Sequence, residues 1–190
     1  MIFFFALSLV SLLAAYHLYS SMTRIGRVPF LFARPQRKEF ILLVDDILLN
    51  QEFRRLKKFH HHTGHIYDHV IRVSYISYVI AKALGLDYRS AARGGLLHDF
   101  FLYDWRERKA SDTSRALHGR EHPHIALANA RGQFEVSDLE ADIIVKHMFP
   151  KTRQIPRYKE SFVVSLSDKI SSVYEYYGML KHRYLHRRKK

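Results

Sequence analysis

The chain has no cysteine among its 190 residues. Disulfides, a thiolate zinc site and a cysteine nucleophile are therefore excluded, and any metal must be held by nitrogen and oxygen. A glycine-rich phosphate loop and an internal repeat are also missing, which sets aside a cradle of backbone amides and a solenoid. Acidic residues are few: 18 Asp and Glu stand against 31 Lys and Arg, a formal net charge of +13. That balance implies an anionic partner, either nucleotide phosphates, nucleic acid or an acidic lipid surface. The excess gathers in Arg24, Arg27, Arg34, Arg37 and Lys38 and again in Lys181, Arg183, Arg187, Arg188, Lys189 and Lys190.

Residues 1–23 contain no Lys, Arg, Asp or Glu. Their apolar core, Ile2 to Tyr16 with its flanks, approaches the roughly 20 residues that span a bilayer. The basic residues that open a secretory signal peptide are missing, so the segment is expected to be an uncleaved membrane anchor. The cations of Arg24–Lys38 would then hold the body of the protein on the cytoplasmic side. Residues 24–38, broken by Pro29 and Pro35, read as a basic linker.

The remainder is 39–180, a globular domain, followed by a basic tail, 181–190. With 47% hydrophobic and 26% charged residues the chain can build a core. Its apolar spacing is helical throughout, so the expected class is all-α. Helices are expected over Glu39–Phe59, over Ile66–Leu84 ending at Gly85, and over the small-residue stretch Asp87–Leu97. Further helices follow His122-Pro123, start from the capping box Ser137-Asp138-Leu139-Glu140, and run over Glu160–Leu180. Val70, Val73, Ile76, Ile80 and Leu84 form the expected buried stripe of one helix. Phe162, Val163, Leu166, Ile170, Val173, Tyr174 and Tyr177 form that of the last. His60-His61-His62-Thr63-Gly64-His65 reads as a loop of solvated imidazoles.

Within these helices lie His69, the adjacent pair His98-Asp99, His122, His147 and Asp168. Each sits in or beside an apolar helical segment, so successive helices can return them to one centre. Imidazole with carboxylate suits a borderline divalent metal. A carboxylate such as Asp168 on an apolar helix face is costly unless a metal or a partner compensates it. The long polar stretch Arg106–Arg120 has the character of a binding loop; Arg106, Arg115 and Arg120 are phosphate-clamp candidates, and Tyr103 and Trp105 are candidate base-stacking rings.

The ordered set His69, His98-Asp99, His122 in Glu-His-Pro-His, His147 in Val-Lys-His-Met and Asp168 in Ser-Leu-Ser-Asp-Lys resembles the HD-domain metal-dependent phosphohydrolases. The likeness covers roughly Lys57 to Met179, with Phe100-Phe101 where the family often has Gly-Lys. It implies an HD-domain helical bundle with one cation on His69, His98, Asp99 and Asp168. A second cation would lie on His122 and His147, with Asp99 as the bridge. The ions would be iron, manganese or another divalent metal, and the substrate a phosphate compound, most readily a nucleotide. Arg72, Lys169 and Asp99 are the expected catalytic side chains. Di-iron oxygen chemistry and non-catalytic nucleotide sensing on the same fold are the alternatives.

Overall fold

A computed structural model of the protein describes residues 34–61, 64–104 and 118–187, with side chains over 36–60, 65–104 and 119–180. The expected anchor, residues 1–23, and the site candidates Trp105, Arg106 and Arg115 lie outside them. Contacts divide the chain into Met1–Lys38 and Glu39–Lys190. Among the described residues no helix is long and apolar enough to cross a membrane.

Seven α-helices are described: α1 (Arg34–Leu49), α2 (Gln51–Arg54), α3 (Ile66–Ala83), α4 (Tyr88–Leu97), α5 (His118–Gln133), α6 (Asp138–Lys146) and α7 (Lys159–Arg187). The helix expected over Glu39–Phe59 is broken at Asn50. The Asn50 side chain turns back to accept from Phe53 N at 3.0 Å and so caps α2, as a short polar side chain does at a helix start. At its other end α1 begins at Arg34, inside the expected linker, because Pro35 is tolerated in a first turn. His60–His65 is not an open loop: β1 (His60–His61) and β2 (Gly64–His65) pair antiparallel, and the rings of His60 and His65 stack at 4.9 Å.

Helix α3 ends at Ala83 with Leu84 as its C-cap, and Gly85 lies beyond at φ 67°, the left-handed position that glycine takes without penalty. Its inner face differs from the expected one. Leu84 is exposed, while Ser74, Ser77, Tyr78 and Ala81 are buried with Val70 and Val73. The reason is the closeness of α4. A Cβ added at Gly95 would lie 2.8 Å from Ser74 Cα, and one at Gly94 would lie 2.7 Å from Ile143 Cγ2. Only small residues permit that approach, and Ser74 Oγ secures it by donating to Ala92 O at 2.6 Å.

Helix α4 is capped by Asp87, whose carboxylate accepts from Ser90 N (3.0 Å) and Ser90 Oγ (2.7 Å). Helix α6 has the expected capping box between Ser137 and Glu140. Arg93 of α4 joins α1 to α6, donating to both oxygens of Asp46 and to Glu140. Asp46 is therefore a tether as well as a wet helix edge. The core gathers Phe40, Val44, Ile47, Phe53, Leu56, Val70, Leu96, Leu97, Phe100 and Phe101. Burying each large side chain of this kind stabilises the fold by about 1.5–3 kcal/mol.

Helix α7 departs most from expectation. Phe162, Leu166, Val173, Tyr174 and Tyr177 are exposed, and the buried face is Ser161, Val163, Val164, Ser165, Ser167, Ser171 and Glu175. Apolar periodicity misleads here because the interior this helix meets is a polar cluster. The helix also continues through Arg187, well into the expected tail, since nothing in Lys181–Arg187 breaks a helix.

Candidate metal centre

The small-residue contact between α3 and α4 determines where His98-Asp99 emerges. His98 is the C-cap of α4; its Nδ1 donates to Gly95 O at 2.8 Å, satisfying a carbonyl the helix end leaves open. His147 repeats the device at the C-cap of α6, with Nδ1 donating to Ile144 O at 2.8 Å. In both, Nδ1 carries the proton and Nε2 keeps its lone pair.

Those lone pairs face each other's partners. His98 Nε2 is 3.5 Å from Asp99 Oδ2 and 3.9 Å from Asp168 Oδ1. Asp99 Oδ1 is 3.2 Å from His122 Nε2 and 3.5 Å from His147 Nε2, and those two nitrogens are 2.9 Å apart. His69 Nε2 lies 3.1 Å from Asp168 Oδ1. All six side chains thus meet. His69, His98, Asp99, His122 and His147 are buried, and Asp168 has 16% of its side chain exposed. Donor atoms of His69, His98 and Asp168 lie within 4.8 Å of one another, as do those of His98, Asp99 and His147.

The donor set fits a divalent cation, and two atoms test that fit. His98 Nε2 and Asp99 Oδ1 are buried without an aligned hydrogen bond among the described residues. A buried polar atom left in that state costs about 1–3 kcal/mol. A cation between the two would satisfy both.

The protonation states agree. Burial pushes His98 down and His147 down to about 3, so both rings are neutral. Burial would raise Asp99, but His98, His122 and His147 hold it well below the ordinary carboxylate range. Asp168 is held low against burial by its hydrogen bond to His69. Burial also works against a charged His69, yet hydrogen bonds to Asp168 and Glu175 prevail and raise it to about 10. Ligation needs neutral imidazoles and ionised carboxylates, so of His69, His98 and His147 it is His69 that would have to give up a proton.

His122 lies one turn inside α5, which starts at His118, earlier than expected; Pro123 is carried within the helix. His122 is buried, while His124 is exposed. Phe101 packs edge-on against His122 at 5.6 Å and against Tyr103 at 5.0 Å, so Phe100-Phe101 is core. Tyr103 is half-buried and Arg120 is exposed in the first turn of α5.

Two expected catalytic cations are otherwise engaged. Lys169 Nζ donates to Ser165 O (2.9 Å), Ser165 Oγ (2.8 Å) and His147 O (3.4 Å), bracing the main chain behind His147. Arg72 Nη1 donates to Glu175 (2.6 Å) and Ser171 Oγ (3.1 Å). Glu175, which also meets His69 Nδ1 at 2.9 Å, was not legible as a site residue. Its position two turns beyond Asp168 on one helix face is the signal that could have found it. Asp142 was missed as well; its carboxylate accepts from Arg157 N (2.9 Å) and Ser161 Oγ (2.7 Å) and ties α6 to α7.

The HD domain family model matches residues 66–173, a span that holds every member of the cluster. No curated protein and no solved structure matches the chain. The family match covers more than half of the sequence, and the chain belongs to the HD domain family.

Proposed function

We propose that this HD domain is a metal-dependent phosphohydrolase acting on a nucleotide or another phosphate ester or anhydride. The observation that carries the reading is the meeting of His69, His98, Asp99, His122, His147 and Asp168, with two buried polar atoms, His98 Nε2 and Asp99 Oδ1, that have no aligned hydrogen bond among the described residues. HD domains bind divalent metals and are generally metal-dependent phosphohydrolases.

Two cations are proposed, one on His69, His98, Asp99 and Asp168 and one on His122, His147 and Asp99. Asp99 suits a bridge because its oxygens face different partners: Oδ2 towards His98, Oδ1 towards His122 and His147. When bound, such cations supply Lewis acidity at a phosphoryl oxygen and acidify a water. The protein's own part is positional. The Nδ1 bonds of His98 and His147 fix both rings, and Lys169 braces the backbone behind His147. Arg120, with Arg106 and Arg115 outside the described residues, supplies the proposed phosphate contacts; Tyr103 and Trp105 are the proposed stacking rings.

The uncharged segment 1–23 and the cations after it support attachment to an anionic membrane with the domain on the cytoplasmic side. A high-salt or carbonate wash should leave the full-length chain in the pellet and release a version lacking residues 1–23.

The test of the activity is phosphate release from a nucleotide panel by purified protein, before and after chelation and reloading with manganese(II) or iron(II). Release that disappears on chelation and returns on reloading supports the reading. A reloaded protein that hydrolyses no nucleotide or phosphate ester opposes it.

A further inference from the structure

A histidine can hold a cation firmly only when its second nitrogen is fixed, because that bond sets both the tautomer and the ring orientation. His98 and His147 obtain it from their own helices. His69 lies inside α3, where backbone carbonyls are already used, and its Nδ1 meets Glu175 Oε1 at 2.9 Å across to α7. One face of α7 therefore holds the same imidazole at both ends, Asp168 at Nε2 (3.1 Å) and Glu175 at Nδ1.

Glu175 is buried, and a buried carboxylate is costly unless it is paired. The pairing comes from Arg72, one turn beyond His69 on α3. Its Nη1 meets the same Oε1 at 2.6 Å and also Ser171 Oγ at 3.1 Å, while its guanidinium carbon lies 5.2 Å from the centre of the Tyr174 ring. Ser171 Oγ is itself 3.3 Å from His69 Nδ1.

We propose that Glu175 and Arg72 are positioning residues that set cation affinity at His69, and that Arg72 serves the metal centre through Glu175 and not substrate phosphate. Glu175 accepts the Nδ1 proton, so that Nε2 presents its lone pair to the cation. Arg72 neutralises Glu175 and holds its Oε1 at His69 Nδ1. The inference rests on the metal-centre reading above. It differs from a purely structural ion pair between α3 and α7, whose loss would lower stability and leave cation affinity unchanged.

The experiment uses the full chain, stripped by chelation and titrated with manganese(II) alone by calorimetry, with circular dichroism and thermal melting as checks on the fold. Outer partners of metal-bound histidines typically contribute about 10–100-fold in affinity. A loss in that range is expected for Glu175→Ala. A smaller loss is expected for Glu175→Gln, whose amide oxygen still accepts from Nδ1 without the charge, and Arg72→Ala should weaken binding as well. If Glu175→Ala does not fold, Glu175→Gln carries the test. Unchanged manganese affinity in folded Glu175 variants overturns the proposal. An Arg72→Ala protein with unchanged affinity and a raised KM returns Arg72 to the substrate and also overturns it. A wild-type chain that binds no manganese, iron or zinc fails at the earlier step, the metal centre itself, and is distinguished by that result.

Discussion

His98 and His147 are fixed by one device and His69 by another, and the contrast shows how a helical fold brings imidazoles to one centre. The first two cap their helices and give Nδ1 to a carbonyl three residues back. Helix ends leave such carbonyls open, so each ring is oriented locally and stays neutral. His69 is inside α3 and takes Glu175 from a helix 106 residues away. The result is an imidazole with carboxylates at both nitrogens, pushed up to about 10, beside one pushed down to about 3.

Asp99 belongs to both halves of the contrast, and removing it should have the largest effect. Asp99→Ala should lose bound metal and phosphate release together, whereas His124→Ala, exposed on α5, should lose neither. Metal content and turnover of the two variants check this.

The next effect is a pair of opposite pH dependences in metal-stripped protein. His69 has a raised pKa, so its stabilisation is complete below the ordinary value of 6.5 and is lost as pH rises through about 10. His147 has a lowered one: the unfolded chain takes up its proton first, and stability falls as pH drops from 6.5 towards about 3. Thermal midpoints over pH, compared with His69→Gln and His147→Gln, should show slopes of opposite sign.

Gly95→Ala attacks the local device. Its Cβ would meet Ser74 backbone at 2.8 Å; overpacking of this kind costs about 1–3 kcal/mol, partly offset by about 1 kcal/mol of helix propensity. A net loss of stability is expected, with weaker metal binding because the Gly95 carbonyl that holds His98 must move. Ser137→Ala should have the smallest effect, about 1 kcal/mol in chemical denaturation from loss of the cap. Metal binding should be unchanged, since His147 is oriented at the other end of α6.

The cluster was legible because histidines and aspartates set in order on separate apolar helical segments are costly to bury unless a shared cation compensates them. Capping at Ser137 and the glycine end of α3 were legible because they depend on neighbours in sequence. Glu175, Asp142 and the role of Arg72 were not, since each is defined by a partner on another helix. The face of α7 was misread for a related reason. Apolar spacing reports a hydrophobic neighbour, whereas this helix packs its serines, Asp168 and Glu175 around imidazoles and leaves Phe162, Leu166 and Tyr177 outside.

The two halves of the cluster are proposed to hold separate cations joined by Asp99. The most direct measurement is the metal content of the purified chain by elemental analysis, taken beside His69→Ala and His147→Ala. The wild type is expected to carry a full complement of divalent metal and each variant to lose one half while keeping the other. A folded wild-type chain without metal after reloading, or variants that both retain the full complement, would contradict it.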